Sequence, residues 1–423
     1  MKLLIKNGIL LDMATPVANI RKTDILINNN IIEKIEDNIN ENVEKIIDAT
    51  DKVVMPGLIN THTHAGMSIF RGYKDDKNLM DWLQNAILPA EAKLTPEDIY
   101  WGTQLSCLEM IKSGTTTFCD MYFQMQEVIK SVEETGLRAV IGWSVTDDSI
   151  RDKYEKTIKY ANKYNKENSK IIVYVSLHAG YTCSPDTIKK FLQLAKQLNT
   201  GIIIHLAETE DEENIIQNRY NKRPVQYLND LGVFDVPVVL AHCIYISDDD
   251  IKILKNINGG ISHNPISNCK LASGICNVIK LRENGLNVGI GTDGQGSTTT
   301  LDMFEEMRLC GYLQKVSRKS STCINAYEIL RMATIDGAKV LGLNKEIGSI
   351  EQGKKADIII IDMNKTHLIP NNDICTNLVY SANGQDVETV IIDGKIIMED
   401  KRIPNINQEK IEENTRKIAK RVL

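Results

Sequence analysis

Short runs of consecutive apolar and β-branched residues alternate, along most of the chain, with longer stretches whose apolar positions recur every three or four residues. The first pattern is that of a strand buried on both faces, the second that of a helix with one buried stripe. Between about residues 56 and 344 the strand-like runs read LINTHTH (58–64), TTTFC (115–119), RAVIGWSV (138–145), IIVYVSLH (171–178), GIIIHLAE (201–208), VPVVLAHC (236–243), GGISHNP (259–265) and NVGIGTDG (287–294). Helical stretches separate them, and SPDTIKKFLQLAKQLN opens with serine as a cap followed by proline at the first helical position. Eight strand–helix repeats predict an α/β fold, a (β/α)8 TIM-type barrel. The alternative, a doubly wound open sheet, usually carries a glycine-rich phosphate loop after its first strand, and this chain has none.

The two ends follow a different rhythm. Residues 1–55 (KLLIKNGILLD, DILINNNIIEKI) and 345–423 (ADIIIID, VETVIIDGKIIM) hold short β runs parted by Asn, Gly and Asp turns. They predict one small β-sandwich assembled from both termini around a barrel of residues 56–344. The last segment, NQEKIEENTRKIAKRVL, reads as an amphipathic helix.

Composition narrows the function classes. A chain of 423 residues suits one large domain with an accessory one. Apolar content is 42%, and no apolar run approaches the ~20 residues of a membrane span. The N-terminal MKLLIKNGILLDM, interrupted by Lys6, Asn7 and Gly8, reads as a strand and not as a signal peptide. A net charge of −6 argues against nucleic acid as a partner. The nine cysteines are odd in number and contain no C-x-x-C pair, so reduced thiols in the cytoplasm are expected, with Cys243 a small buried core residue.

The histidines carry most of the chemical information. Of seven, His62 and His64 close the first predicted strand, His178 the fourth and His242 the sixth, while His205 and His263 lie in the fifth and seventh. His62 and His64 stand two residues apart, a spacing that aims both side chains the same way in a strand. Asp293 follows the eighth strand in GTDG. Residues at the carboxyl ends of barrel strands converge on one face, where active sites sit. Six histidines and an aspartate delivered there predict a centre for one divalent metal ion, Zn2+ in the first place and Fe2+ as the alternative, with an open position for water. No lysine closes the fourth strand to bridge a second metal, so a mononuclear site is expected.

With PGLINTHTH, HAGYTCS, HLAET, LAHC, SHNPISNCKLASGI, GTDG and ADIIIID in place, the chain resembles the amidohydrolase superfamily, and within it the 5′-methylthioadenosine/S-adenosylhomocysteine deaminases. The resemblance covers nearly the whole length. The H-x-H and GTDG motifs specify only the superfamily; HLAET with SHNPxSNxKLxSG narrows it to aminohydrolases of purine-like heterocycles. The resemblance implies His62, His64, His205 and Asp293 as metal ligands, Glu208 as the proton shuttle to the ring nitrogen, His242 as the group that holds the nucleophilic water, and Asp293 also as its proton acceptor. It further implies substrate contacts from Glu91 to the ribose hydroxyls, from His178 and Arg151 to the sugar and its 5′ substituent, and from Trp82 by stacking. Each has a bland counterpart: Glu91 a helix-surface acid, Glu208 a member of the acidic run ETEDEE, Trp82 a core residue beside Leu79 and Leu83.

The implied reaction is hydrolytic deamination of an adenosine-type nucleoside, with water and the nucleoside as partners and a homo-oligomer as the assembly. One departure from the family pattern concerns the end of the third strand, IGWSVTDD, where Trp143 stands near the place of a second arginine. An apolar side chain there cannot pair with the carboxylate of S-adenosylhomocysteine, which predicts a preference for 5′-methylthioadenosine, 5′-deoxyadenosine and adenosine. The main rival is a deaminase or chlorohydrolase of another heterocycle, such as guanine, an oxidised purine, a pterin or a triazine, for which Glu91 and Arg151 have no ribose to hold. A non-catalytic binding protein is marked by loss of a ligand or of Glu208, and neither is lost. The H-x-E and P-C-x-x-C signature of cytidine-deaminase-like zinc enzymes is absent.

Overall fold

Eight parallel strands follow one another around the barrel: Leu58–Thr63, Thr115–Tyr122, Arg138–Val145, Val175–Ala179, Ile202–Leu206, Val238–His242, Gly259–His263 and Val288–Ile290. They occur in a computed structural model that describes residues 1–423. Main-chain bonds close the ring, the N–H groups of Thr292 and Asp293 donating to the His62 carbonyl at 3.1 and 2.9 Å. Asn60 completes the seam by accepting from the Thr292 N–H at 3.0 Å and donating to its hydroxyl at 2.8 Å. Gly291 lies against this seam, where a Cβ would sit 2.8 Å from the His62 nitrogen and 2.4 Å from the Ser262 hydroxyl, so only glycine lets the strands approach. The strands are buried along their length because side chains fill the inside and helices cover the outside. The fourth expected strand is broken: Ile171–Val173 pairs only with Arg138–Val145, and a second piece, Val175–Ala179, continues the barrel.

Local chemistry sets the helix limits. Pro185–Leu198 starts at Ser184, whose hydroxyl accepts the Thr187 N–H. Pro96–Lys112 carries a reciprocal cap between Thr95 and Asp98.

An eight-stranded, mainly antiparallel sheet draws on both ends of the chain, in the order Lys395–Met398, Val387–Ile392, Ile358–Asp362, Lys52–Pro56, Lys2–Leu11, Ile20–Asn28, Ile31–Glu36, with Lys45–Asp48 beside Lys2–Leu11. Its own core includes Leu3, Ile5, Leu10, Ile25, Ile27 and Ile358. The C-terminal helix Gln408–Val422 lies on Pro96–Lys112, where Arg421 pairs with Asp98 at 2.5 Å. No helix is long and apolar enough to cross a membrane.

A buried ion pair joins sheet and barrel. Arg138, at the start of its strand, donates to both oxygens of Asp357 at 2.9 and 3.1 Å, and both side chains are almost wholly buried. Removing one member strands the other charge, so Arg138→Met is expected to cost about 3 kcal/mol or more of unfolding free energy, and Arg138→Met with Asp357→Leu distinctly less. Denaturant titration of the two variants checks this; equal losses would show that the stranded carboxylate is not the source.

Candidate active site

A cavity with about 1000 Å³ of space, its open mouth included, lies at the carboxyl ends of the strands. Its polar walls come from His64, His178, His205, Glu208, His242 and Asp293, and its apolar ones from Met67, Trp82, Leu83, Phe123 and Leu271 among others. Sharp turns swing several of these groups inward. Ala207, His242 and Asp293 all take positive φ (51, 72 and 67°), a conformation that costs a non-glycine residue about 1–3 kcal/mol and that clusters at functional sites.

The side-chain nitrogens of His62, His64 and His205 come within 4.8 Å of one another. Backbone carbonyls fix two of the three rings. His64 Nδ1 lies 2.6 Å from the Met121 carbonyl and His205 Nδ1 2.7 Å from that of His178. A carbonyl only accepts, so Nδ1 carries a proton in each ring and Nε2 is left facing the cavity. His62 is fully buried with neither nitrogen hydrogen-bonded. Burial drives its basicity down to about 4 and that of His205 well below the ordinary value, which keeps both as neutral lone-pair donors. Burial acts on His64 in the same sense, but Asp293, with Oδ1 at 3.1 Å from Nε2, outweighs it and lifts the ring to about 9. The same Oδ1 is 3.6 Å from His62 Nε2. Two neutral imidazoles, a third drawn toward positive charge by Asp293, and one carboxylate oxygen thus surround a single spot. That donor set fits one divalent metal ion of the zinc or iron type.

Glu208 and His242 stand beside this group, with His242 Nε2 3.6 Å from Glu208 Oε2. Glu208 is 8% exposed, and burial pushes its carboxyl above the ordinary range, against the pull of His242. Burial raises the proton affinity of this carboxyl, which suits it to carry a proton to a bound group. His178 also lines the cavity, held by Thr182 at 3.0 Å from Nδ1 and lowered to about 4 by burial.

Glu91 ends the turn Leu88–Glu91 and accepts a 2.5 Å hydrogen bond from the Tyr122 hydroxyl. Burial raises its carboxyl from 4.5 to about 7, the Tyr122 bond opposing. A raised folded-state value means that between about pH 4.5 and 7 the unfolded chain loses this proton first. The folded state then binds more protons, and the group's contribution to stability falls as pH rises through that window. Glu91→Gln is therefore expected to gain on the order of 1–2 kcal/mol over the parent at pH 8 and much less at pH 5. Thermal unfolding at the two pH values checks it, and a gain independent of pH would contradict it.

Of the residues the sequence suggested, His62, His64, His205, Asp293, Glu208, His242, His178, Glu91 and Trp82 meet in or directly behind this cavity. Trp82 lines it together with Leu79 and Leu83, although the residue is only 5% exposed. Arg151 is not brought there. It lies in the first turn of the surface helix Ile150–Tyr164 with its side chain 94% exposed, 3.8 Å from Glu155. Trp143 also faces elsewhere: fully buried, it packs on Tyr160 at 5.0 Å between ring centroids, while Ser144 and Thr146 line the cavity. Strand alternation is the reason, since residues of one parity face in and the other out. His263 does not line the cavity and is buried with both nitrogens unpartnered. Cys243 is a buried core residue, its thiol raised by burial.

Sequence reasoning missed Tyr122, which holds Glu91, and the residues that orient Asp293 and His242. It also missed Lys153, a buried cation behind the wall that donates to the Ser144 carbonyl and is lowered to about 8 by burial. No lysine or arginine lines the cavity itself.

Residues 53–397 match the Amidohydrolase family. The chain is 47% identical to a 5-methylthioadenosine/S-adenosylhomocysteine deaminase of Thermoanaerobacter pseudethanolicus over 100% of both chains. It is 44% identical to a 5′-deoxyadenosine deaminase of Methanosarcina mazei over 100% of this chain and 98% of that one. Among solved structures it is similar to an adenosine deaminase of Xanthomonas campestris with bound zinc, at a TM-score of 0.96 and 30% identity, covering 99% of this chain and 98% of that one.

Proposed function

Since the chain belongs to the amidohydrolase family, we propose that it is an aminohydrolase that converts an adenosine-type nucleoside and water to the inosine-type product and ammonia. The observation that carries this reading is the meeting, in one cavity, of the His62, His64, His205 and Asp293 donor set with Glu208 and His242. The relatives' named substrates, 5-methylthioadenosine, S-adenosylhomocysteine and 5′-deoxyadenosine, support the choice of nucleoside.

His62, His64 and His205, the last two through Nε2, and Asp293 through Oδ1 would hold the metal, with zinc the first expectation from the donor set. Bound there, a divalent ion makes hydroxide available from water at neutral pH. His242 Nε2 holds the nucleophilic water. Asp293 accepts the proton that the water gives up. Glu208, whose proton affinity burial raises, donates to the ring nitrogen next to the carbon that bears the amino group, so that this carbon accepts hydroxide. Proton transfer to the amino group then lets ammonia leave from the tetrahedral carbon. Glu91, steadied by Tyr122, accepts from the two ribose hydroxyls, and Trp82 covers one face of the base or the 5′ group. His178 donates or accepts at the nucleoside from its free Nε2.

The absence of lysine and arginine from the cavity lining supports a preference for 5′-methylthioadenosine, 5′-deoxyadenosine and adenosine over S-adenosylhomocysteine. Equal kcat/KM for all four would contradict it and direct attention to Lys153. We place the protein in the cytoplasm, where its nine unpaired cysteines stay reduced, and expect a homo-oligomer, read out by light scattering.

Ammonia release over a panel of adenosine derivatives and free bases tests the reading. Turnover of the nucleosides is expected, with Glu91→Ala raising KM for nucleosides about tenfold or more through loss of a charge-assisted bond. A panel in which only a free base or a triazine reacts, and Glu91→Ala leaves it unchanged, would replace the nucleoside reading with that of another heterocycle.

A further inference from the structure

The short helix Pro265–Lys270, in the motif SHNPISNCKLASG, touches none of the reacting atoms in the scheme above, yet two adjacent side chains on it reach two different groups of that scheme. Ser267 Oγ donates to Asp293 Oδ2 at 2.7 Å, and Ser297 donates to the same oxygen at 2.9 Å. The other oxygen, Oδ1, takes the Gly294 N–H at 2.8 Å and is the one facing His64 and His62. The carboxylate is thereby divided: Oδ2 is tied to two hydroxyls and Oδ1 alone points at the imidazoles. Asn268 Oδ1 lies 2.8 Å from His242 Nδ1. An amide oxygen only accepts, so Nδ1 holds the ring proton and Nε2 turns its lone pair toward Glu208. Asn264 Nδ2 stands 3.4 Å from the same Nδ1.

The helix itself is pinned. Buried Glu306 accepts the Ile266 N–H and the Thr298 hydroxyl, each at 3.0 Å, which locks the helix to the segment carrying Ser297. Lys270 adds a second tie, to Asp75 at 2.6 Å and to the Gly296 carbonyl at 3.0 Å. Such outer contacts fix the orientation of metal-binding and proton-handling groups, and losing one commonly costs 10- to 100-fold in the property it supports.

We propose that Pro265–Lys270 is a two-pronged bracket in which Ser267 aligns Asp293 for metal binding and Asn268 aligns His242 for holding water. Both are positioning residues, and the proposal rests on the deaminase reading given above. Because the prongs are neighbours in sequence but serve different groups, their defects separate. Ser267→Ala weakens binding of the metal about 10- to 100-fold and recovers near-parental kcat when metal is saturating, whereas Ser267→Thr keeps the hydroxyl and restores affinity. Asn268→Leu leaves metal affinity as in the parent and lowers kcat about tenfold or more at saturating metal, and Asn268→Asp, which keeps an acceptor, recovers part of it.

The test is competition of each purified variant with a chromophoric chelator for Zn2+, alongside kcat at saturating Zn2+ and thermal unfolding. Separate defects, metal affinity in one variant and kcat in the other, at similar melting temperatures are expected. Parallel loss of both properties in both variants, together with stability, would overturn the bracket in favour of a general packing role. So would parental metal affinity in Ser267→Ala. The chelator titration reads out whether or not a nucleoside is turned over, so absent ammonia release in the parent would overturn the deaminase reading without touching the Ser267 arm.

Discussion

Glu208→Gln is expected to leave the fold and the metal content in place while lowering kcat for ammonia release on the order of 10³-fold. The expectation follows from the side chain's surroundings. Glu208 lies buried, 3.6 Å from His242, with Ser273 donating to its other oxygen at 3.3 Å. Its backbone nitrogen is held by Glu212 at 2.9 Å, so an isosteric amide has no reason to leave the position. What the amide lacks is a proton it can give to the ring nitrogen and pass on to the departing amine. KM is expected to change little, since substrate size and polarity at that spot are preserved. Steady-state kinetics with metal analysis on the same protein checks it. A kcat within a few-fold of the parent would remove Glu208 from the proton transfer.

The largest effect is expected from the ligand set. His205→Ala or Asp293→Ala should retain well under one equivalent of metal and bring ammonia release down to background. At pH 7 water with a pKa of about 7 is half ionised, whereas bulk water, at 15.7, is ionised roughly eight orders of magnitude less. Removing a donor therefore removes the nucleophile and leaves the pocket. The two variants should nevertheless still bind an adenosine-type product, because Glu91, Tyr122, His178 and Trp82 are untouched. Product binding by calorimetry, set beside the lost activity, separates loss of chemistry from loss of fold. Full activity in a protein shown to hold no metal would contradict the assignment.

Much of this was legible before any coordinates. Seven of the eight barrel strands lie where continuous apolar runs place them, because burial on both faces leaves an unmistakable pattern. His62 and His64 converge as their two-residue spacing demands. The same two-sided burial hides parity. In RAVIGWSV every side chain is buried, so nothing in the sequence says whether Trp143 or Ser144 turns toward the barrel interior. Arg151 illustrates a related limit. A helix that starts just beyond a strand end can aim its first turn at the cavity or at solvent, and the choice depends on how the helix packs, here through Lys153, Thr157 and Ala161. Ser267 and Asn268 escaped notice for another reason: small polar residues serve as caps and turn-formers far more often than as supports of a catalytic group, and only their distances to Asp293 and His242 distinguish them. His263 shows that a histidine on a barrel strand need not join the centre when alternation turns it aside.

The most direct measurement is stepwise return of Zn2+ to chelator-treated protein with ammonia release from 5′-methylthioadenosine followed at each step. The rate is expected to rise in proportion to added metal and to level off at one equivalent. A metal-free protein that already runs at the final rate, or a fully loaded one that liberates no ammonia from any adenosine derivative, would contradict the account at its centre.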